Sequence, residues 1–291
     1  KESLRKWEFE YKEKKSLTSN NSFLIKITNL KKKIMNEKIL SIINQKGGVG
    51  KTTTVINLAA GLSMKGKKIL VIDLDPQGNA TTGLGLSNTE NTDRTIYSVL
   101  NGTKNIYDVI HKTKFENLDL ITSNVDLSGL EVETAGDSRR AFILKEQITA
   151  YLNDSRGSYD YVLIDCPPSL SLLTIMALVA SKSLIVPLQT EFFALEGLTQ
   201  LMKTIERIKN NLNPELIIKG ILLTMYDKRN KLSSEVEKEA REYFKDKVYQ
   251  SVVPRNVRLS EAPSHGLPVL LYDKNCPGSK SYFSFTEEFL N

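Results

Sequence analysis

Lys46-Gly47-Gly48-Val49-Gly50-Lys51-Thr52-Thr53-Thr54 is the stretch from which the rest of the chain is read. Before it stands a short apolar run, Ile39-Leu40-Ser41-Ile42-Ile43, with the character of a buried strand. After it, Val55, Leu58, Ala59 and Leu62 recur at the i, i+3, i+4, i+7 spacing of one helix face, which predicts a helix over residues 53–65. A glycine-rich turn between a strand and a helix is a cradle for phosphate. Its glycines let backbone N–H groups turn toward an anion with no Cβ in the way. The helix start adds its dipole and its unpaired N–H donors. In such a cradle Gly47, Gly48, Val49, Gly50 and Thr53 approach the phosphates, Lys51 reaches the β- and γ-phosphates, and Thr52 offers its hydroxyl to Mg²⁺.

The spacing departs from G-x-x-x-x-G-K-[ST]. Counting back from Gly50-Lys51-Thr52, the first glycine position holds Gln45, and Lys46 with Gly47-Gly48 follows instead. Lys46 sits too early to duplicate Lys51, and a lysine there is placed to reach a phosphate in a neighbouring subunit. A solvated glycine turn with two surface lysines is the alternative, and nine residues plus both flanks speak against it. Here the chain resembles a family: K-G-G-V-G-K-T-T-T is similar to the deviant Walker A motif of the ParA/MinD group of P-loop ATPases. The resemblance implies an ATP-bound sandwich dimer in which Lys46 touches nucleotide across the interface, with ATP and Mg²⁺ as ligands.

Three further motifs agree. Residues 68–72 read as a second buried strand and end in Asp73-Leu74-Asp75-Pro76-Gln77-Gly78-Asn79. Carboxylates at the C-terminal end of a parallel strand lie in the crevice where ligands bind. The stretch resembles the second motif of the group, which implies that Asp75 orients the attacking water or the Mg²⁺ surroundings; the resemblance is carried to Asp75 alone, and Asp73 is a candidate for a supporting part. A plain turn is the bland alternative. The apolar run 161–164 ending in Asp165 reads as a Walker B strand, with Asp165 holding Mg²⁺ through a water opposite Thr52. Cys166 beside it reads as a small strand-end residue. The run Pro254-Arg255-Asn256-Val257-Arg258-Leu259-Ser260-Glu261-Ala262-Pro263-Ser264-His265-Gly266 resembles the Soj-type chromosomal ParA signature. That resemblance implies a base pocket near Pro254 and Asn256. It also implies DNA-phosphate contacts by Arg229 and Arg258, supported by Lys228, Lys231 and Arg255. Such contacts release counterions and steepen salt dependence without reading sequence. For each of these cations the alternative is an ordinary solvated charge.

Elsewhere, residues 95–100 and 106–110 suggest short helical pieces, 118–122 a strand, and 139–151 an amphipathic helix with Phe142, Leu144, Ile148 and Tyr151 as its apolar residues. Residues 127–133 resemble a family stretch near the dimer face. Residues 183–188 read as a strand and 198–209 as a helix, with Phe192-Phe193 between them read as packing. Residues 217–223 read as a strand leading into a basic loop, 224–231. Ser233 or Ser234 is the expected cap of a helix with Val236, Ala240 and Tyr243 in line. A last strand covers 248–253, and residues 281–291 suggest a short, acidic, aromatic helix. Strands alternating with helices predict an α/β P-loop NTPase fold: a mostly parallel twisted sheet with helices on both faces, in one domain over residues 35–291.

Composition sets bounds. The chain has 291 residues, 40% hydrophobic and 25% charged, enough for one large α/β core. No apolar run approaches the roughly 20 residues of a membrane span, and no signal peptide is visible. Two cysteines, Cys166 and Cys276, and two histidines, His111 and His265, make no metal-type spacing. A reduced, cytoplasmic setting is expected by default, and the resemblance implies association with the nucleoid. The net charge of +6 is concentrated in residues 1–34, which hold ten Lys/Arg and four Glu; the other 257 residues hold 30 basic and 30 acidic side chains. Residues 1–34 read as a disordered basic arm or an over-extended start, with a functional DNA-binding arm as the sharper alternative. Nucleic-acid binding by the remainder needs a local patch.

The resemblance thus implies a DNA-partitioning ATPase: a homodimer on ATP that binds nonspecific double-stranded DNA, is released on hydrolysis, is stimulated by a ParB-like partner, and has no membrane role. A MinD-like membrane switch needs a basic amphipathic C-terminal helix, which the sequence lacks. An iron-protein reductase needs paired cysteines. An ATP-using synthetase is expected to need an added substrate domain. A nucleotide-gated transcription regulator of the same fold predicts sequence-specific DNA binding and slow turnover.

Overall fold

Buried apolar runs set between helices wind this chain into a doubly wound α/β fold. The computed structural model describes residues 38–86, 93–154 and 158–291; the basic segment 1–34 lies outside them. Eight strands, β1 (Ile39–Ile42), β2 (Ile69–Asp73), β3 (Ile110–Lys112), β4 (Leu118–Ile121), β5 (Tyr161–Asp165), β6 (Ser183–Gln189), β7 (Ile217–Tyr226) and β8 (Val248–Pro254), form one sheet in the order β3-β4-β2-β5-β1-β6-β7-β8. Only the edge strand β3 pairs antiparallel. Strand order reverses around β1, which lies between β5 and β6, and such a switch point opens a crevice at the carboxyl ends of the strands.

Side chains alternate across the sheet. Leu40 and Ile42, Ile69 and Val71, Leu163 and Leu222 share one core with Val55, Leu58 and Leu62 of α1 (Lys51–Met64). Ile39, Leu70, Ile72, Val162 and Ile164 face the other way, against α2 (Ile143–Asn153) and α3 (Leu172–Ala180). Leu184, Val186, Ile221 and Leu223 continue that second face under α4 (Ala194–Asn211) and α5 (Lys231–Phe244). Helices therefore cover both faces, as the alternating pattern requires. No helix among the described residues is long and apolar enough to cross a membrane.

The carboxyl-terminal helix α6 (Pro277–Leu290) is longer than the sequence suggested, because Pro277 and the Cys276 cap start it early. It seats α1. Tyr282 shares a 3.0 Å hydrogen bond with the Thr54 hydroxyl, and Glu288 accepts from the backbone N–H groups of Gln250 and Ser251 at 2.6 and 2.8 Å. The two helices lie close at Gly61, where an added Cβ would collide with the Thr286 hydroxyl oxygen. Thr286 is fully buried, so it has nowhere to go. Gly61→Ala is expected to cost about 1–3 kcal/mol, measured as a lower urea midpoint with an unchanged slope.

Four expectations need correction. Helix α3 was not anticipated: Leu172-Leu173-Thr174-Ile175-Met176-Ala177-Leu178-Val179-Ala180 is buried on nearly every side, so no polar stripe marks its period. The basic loop begins later than residue 224, since β7 runs on through Tyr226. Helix α5 is capped by Asn230, whose side-chain oxygen accepts from Leu232 N–H at 3.0 Å, while Ser233 turns inward to the Thr190 hydroxyl. Asn230→Ala is expected to cost about 1 kcal/mol by the same denaturation assay. Phe192 and Phe193 are 74% and 66% exposed and Tyr243 is 76% exposed, so none of the three is core.

Candidate functional site

The loop after β1 is held by side chains that no motif marks. Asn44 donates from Nδ2 to the Pro187 carbonyl of β6 at 2.8 Å and accepts the Lys46 N–H at 3.0 Å. Thr224 of β7 donates to the Val49 carbonyl at 2.9 Å. Two neighbouring strands thus fix both halves of the loop. Gly48 (φ +74°) and Gly50 (φ +90°) take left-handed conformations that a side chain rarely adopts. Helix α1 begins at Lys51, directly after Gly50.

Register brings three carboxylates to the same edge: Asp165 lies across from Ile42 on one side and from Asp73 on the other. Asp165 is fully buried, and neither carboxylate oxygen makes a hydrogen bond of full geometry among the described residues. Burial, and then the Asp73 charge, push its pKa well up, while the Thr52 hydroxyl and Lys51 oppose the shift. Asp73 is also pushed up by burial, to about 6, against hydrogen bonds from the Thr81 N–H and hydroxyl (2.7 and 2.8 Å) and from the Asp75 N–H (3.2 Å). Asp73 is therefore committed to shaping the 75–81 turn. Asp75 accepts the Gln77 N–H at 3.0 Å and faces the cavity in front of the loop.

The two loop lysines differ. Lys51 is buried, with its ammonium donating to the Lys46 carbonyl at 3.0 Å. Burial lowers its pKa, and Asp165, Cys166 and Asp75 act the other way. The Lys46 side chain is 52% exposed at the rim and forms an ion pair with Glu191. Cys166 is buried among these charges, and burial drives its thiol pKa up, in keeping with an inert strand-end residue.

A cavity of about 430 Å³ is lined by Gly47, Gly50, Lys51, Thr52, Asp75 and Pro168, among others. A second hollow, of about 270 Å³, shares Gly50, Thr53, Met225 and Pro263 with it and adds Pro254, Asn256 and Tyr282. Met225, between the two, has a left-handed backbone (φ +50°), an uncommon state for a non-glycine residue. The side-chain oxygen of Asn256 is buried with no donor among the described residues. The residues also fit a divalent cation. An orphaned buried carboxylate such as that of Asp165 invites a hard cation, and the Thr52 hydroxyl lies beside it.

Lys228, Arg229 and Arg255 line a separate hollow with Tyr226 and Gln250. Arg229 makes a fork on Asp227, at 3.0 and 2.8 Å, and holds that carboxylate down to about 2. Lys231 opens α5. Arg258 stands apart on the short helix Val257–Glu261, paired with Glu261 at 2.7 Å and Asp273 at 3.5 Å. Pro168, which the paired prolines after Asp165 place beyond the γ-phosphate, does line the cavity; sequence reasoning missed Asn44, Glu191, Thr224 and Met225. Each acts through a tertiary contact, and none carries a local pattern.

A parallel sheet with a glycine-rich loop between its central strand and a helix, facing strand-end aspartates, defines a P-loop nucleotide-binding protein. The AAA domain family matches residues 37–218. The chain is 53% identical over 254 residues to the chromosome partitioning protein ParA of Caulobacter vibrioides, covering 87% of this chain and 94% of that one. It is 48% identical over 251 residues to the sporulation initiation inhibitor protein Soj of Bacillus subtilis, covering 86% and 97%. It therefore belongs to the ParA/Soj family of chromosome-partitioning ATPases. Among solved structures it is similar to cobyrinic acid a,c-diamide synthase from Mycobacterium smegmatis with bound ATP analogue and magnesium, with a TM-score of 0.74 and 33% identity over 87% of this chain and 94% of that one. That coverage corrects one expectation: a synthase of this fold needs no large added domain, so chain length does not exclude a synthetase. Identity to the partitioning proteins decides the matter.

Proposed function

We propose that this protein is a Mg²⁺-dependent ATPase of DNA partition. It closes into a homodimer on ATP, binds double-stranded DNA without sequence preference, and lets go when hydrolysis, stimulated by a ParB-like partner, returns it to ADP. The observation that carries the reading is the division of labour between the two lysines. Lys51 is buried and aimed into its own loop, whereas Lys46 stands exposed at the rim, where a second subunit can meet it.

In this reading the loop N–H groups and Lys51 hold the ATP phosphates, with the base beside Pro254 and the unpartnered Asn256 oxygen. Thr52 and Asp165 would hold magnesium, which would supply positive charge to the phosphates. Asp75 positions a water in line with the γ-phosphorus; the new P–O bond forms as the bond to the β-bridging oxygen breaks. Lys51, and Lys46 from the partner subunit, balance the charge that collects on ADP. A nucleoid location in the cytoplasm goes with this reading.

Support comes from the 53% identity to a chromosome partitioning protein, against 27% to the septum site-determining protein MinD of Pyrococcus horikoshii, and from the cationic hollow at Lys228, Arg229 and Arg255. The test is DNA binding by Asp75→Ala protein in Mg·ATP and Mg·ADP over a salt series. Binding is expected with ATP alone. Arg229→Glu and Arg258→Glu are each expected to weaken it and to lower the slope of log K against log salt by about 1. Equal binding in both nucleotides sinks the gating, and preference for one operator sequence would favour a transcription regulator.

A further inference from the structure

A hollow of about 540 Å³ opens at the amino ends of β2, β4 and β5, the end of the sheet away from the phosphate loop. The five residues of β2, Ile69–Asp73, separate it from the strand-end aspartates, roughly 16 Å at the rise of an extended chain. Its size falls in the range of small-ligand sites, roughly 300–1,000 Å³. Three tyrosines form one wall. The ring of Tyr107, on the short helix Ile106–Val109, lies 4.6 Å between centroids from that of Tyr151 on α2. Tyr159, just before β5, stacks on Tyr151 at 6.1 Å.

Asp119 of β4 lines the hollow and is only 7% exposed. Its Oδ2 accepts from the Lys112 ammonium and from the Tyr159 hydroxyl, both at 2.6 Å, and its Oδ1 accepts no hydrogen bond among the described residues. The counter-ion is loosely placed. The Lys112 side chain is 84% exposed, so its ammonium returns to water at little cost. Tyr159 stays a phenol, because burial and then the hydrogen bond to Asp119 push its pKa up. Lys68 and Glu116 at the mouth are exposed and opposite in sign. The buried carboxylate therefore sets the polarity of the interior.

We propose that this hollow is a second ligand site, for a small organic cation: a flat or apolar body that carries an amidinium, guanidinium or ammonium group. The cation takes the place of the Lys112 ammonium on Asp119 and also reaches the open Oδ1, while the Tyr159 hydroxyl keeps its bond to Oδ2. Charge-assisted bonds to both oxygens are the strong kind. The body lies against the tyrosine wall, whose ring faces attract the cation as well. An anion brings its charge against a buried carboxylate, and a neutral aromatic leaves Oδ1 without a donor. Lys112 is thus a placeholder that the ligand displaces. The hollow shares no lining residue with the two nucleotide cavities, so the site stands whether or not the partition reading does.

The test titrates benzamidine into the full chain by calorimetry, with benzamide as the neutral isostere and benzoate as the anion. Benzamidine is expected to bind, and the other two are not. Asp119→Asn is expected to weaken benzamidine binding about tenfold or more. Lys112→Ala is expected to tighten it about two- to fivefold, because the probe no longer competes with the lysine. Fluorescent ATP binding, unchanged in both variants, checks that each has folded. The sign of the Lys112→Ala effect is the discriminating result. Lys112 and Asp119 are also a cross-strand pair of β3 and β4. If that pair does no more than fasten the edge strand, Lys112→Ala leaves benzamidine binding unchanged or weaker, and the site falls. Equal binding of benzamide, or equal binding of benzamidine by Asp119→Asn, overturns it too. Should Asp119→Asn fail to fold, Lys112→Ala decides alone, since its side chain stands in solvent.

Discussion

Lys51→Ala is expected to lower the rate of ATP hydrolysis by about 10²–10³-fold, the loss that follows when one preorganised donor is removed from developing charge. The structure explains why no neighbour compensates. Lys51 is the buried cation of the loop; its pKa is lowered by burial and supported by Asp165, Cys166 and Asp75. Removing it leaves those acidic groups facing one another with no ammonium between them. The ground state suffers as well, since the β- and γ-phosphates lose their direct cation. Nucleotide affinity, read with a fluorescent ATP analogue, is expected to fall together with turnover. Unchanged hydrolysis in Lys51→Ala would remove the loop from the chemistry.

Lys46→Ala is expected to separate binding from turnover. A cation supplied in trans to a transferring phosphoryl group is worth about 10³–10⁵ in rate, and Lys46 stands in the position to supply one. Turnover is expected to fall by about 10³-fold or more, while a single chain binds nucleotide nearly as before, because Lys51 and the loop N–H groups stay in place. The fold is not at risk. The ion pair lost is the partly exposed one to Glu191, and such pairs contribute about 0–1 kcal/mol. Sedimentation in Mg·ATP distinguishes the cases: the Asp75→Ala protein is expected to dimerise, and adding Lys46→Ala is expected to leave it monomeric. A dimer that forms normally without Lys46 would return that residue to the role of a surface charge.

The sheet was legible because each buried strand is a short apolar run closed by a turn or an aspartate. That is how Ile39–Ile42, Ile69–Asp73 and Tyr161–Asp165 announce themselves. The loop was legible because phosphate binding constrains consecutive residues. What stayed hidden has two physical causes. A helix buried all round, as Leu172–Ala180 is, has no polar face and so no period. Contacts made at long range leave no local trace: Thr224 on the Val49 carbonyl is a threonine like any other until β7 is placed beside the loop. Tyr243 misled for the opposite reason. It falls on the Val236–Ala240 stripe, but the last turn of α5 overhangs the core, so the same spacing ends in solvent. The motif sets Asp75 at the chemistry with Asp73 in support, and the Thr81 hydrogen bonds show what that support is: Asp73 shapes the turn while Asp75 faces the cavity.

The short segment from Pro254 to Ser264 has two sides. Pro254, Asn256, Leu259, Ser260, Pro263 and Ser264 border the cavities in front of the loop, Arg255 borders both the smaller of these and the cationic hollow, and Arg258 is turned to Glu261 and Asp273. In the proposed function a single stretch of backbone would carry both the nucleotide and the DNA contacts, and thermodynamic reciprocity would apply to it. Whatever factor ATP imposes on the affinity of these arginines for an anionic polymer, that polymer must impose on the affinity for ATP. Chains resting on DNA would then hold their nucleotide longer than chains adrift in solution, and the polymer itself would act as a reservoir of the loaded form.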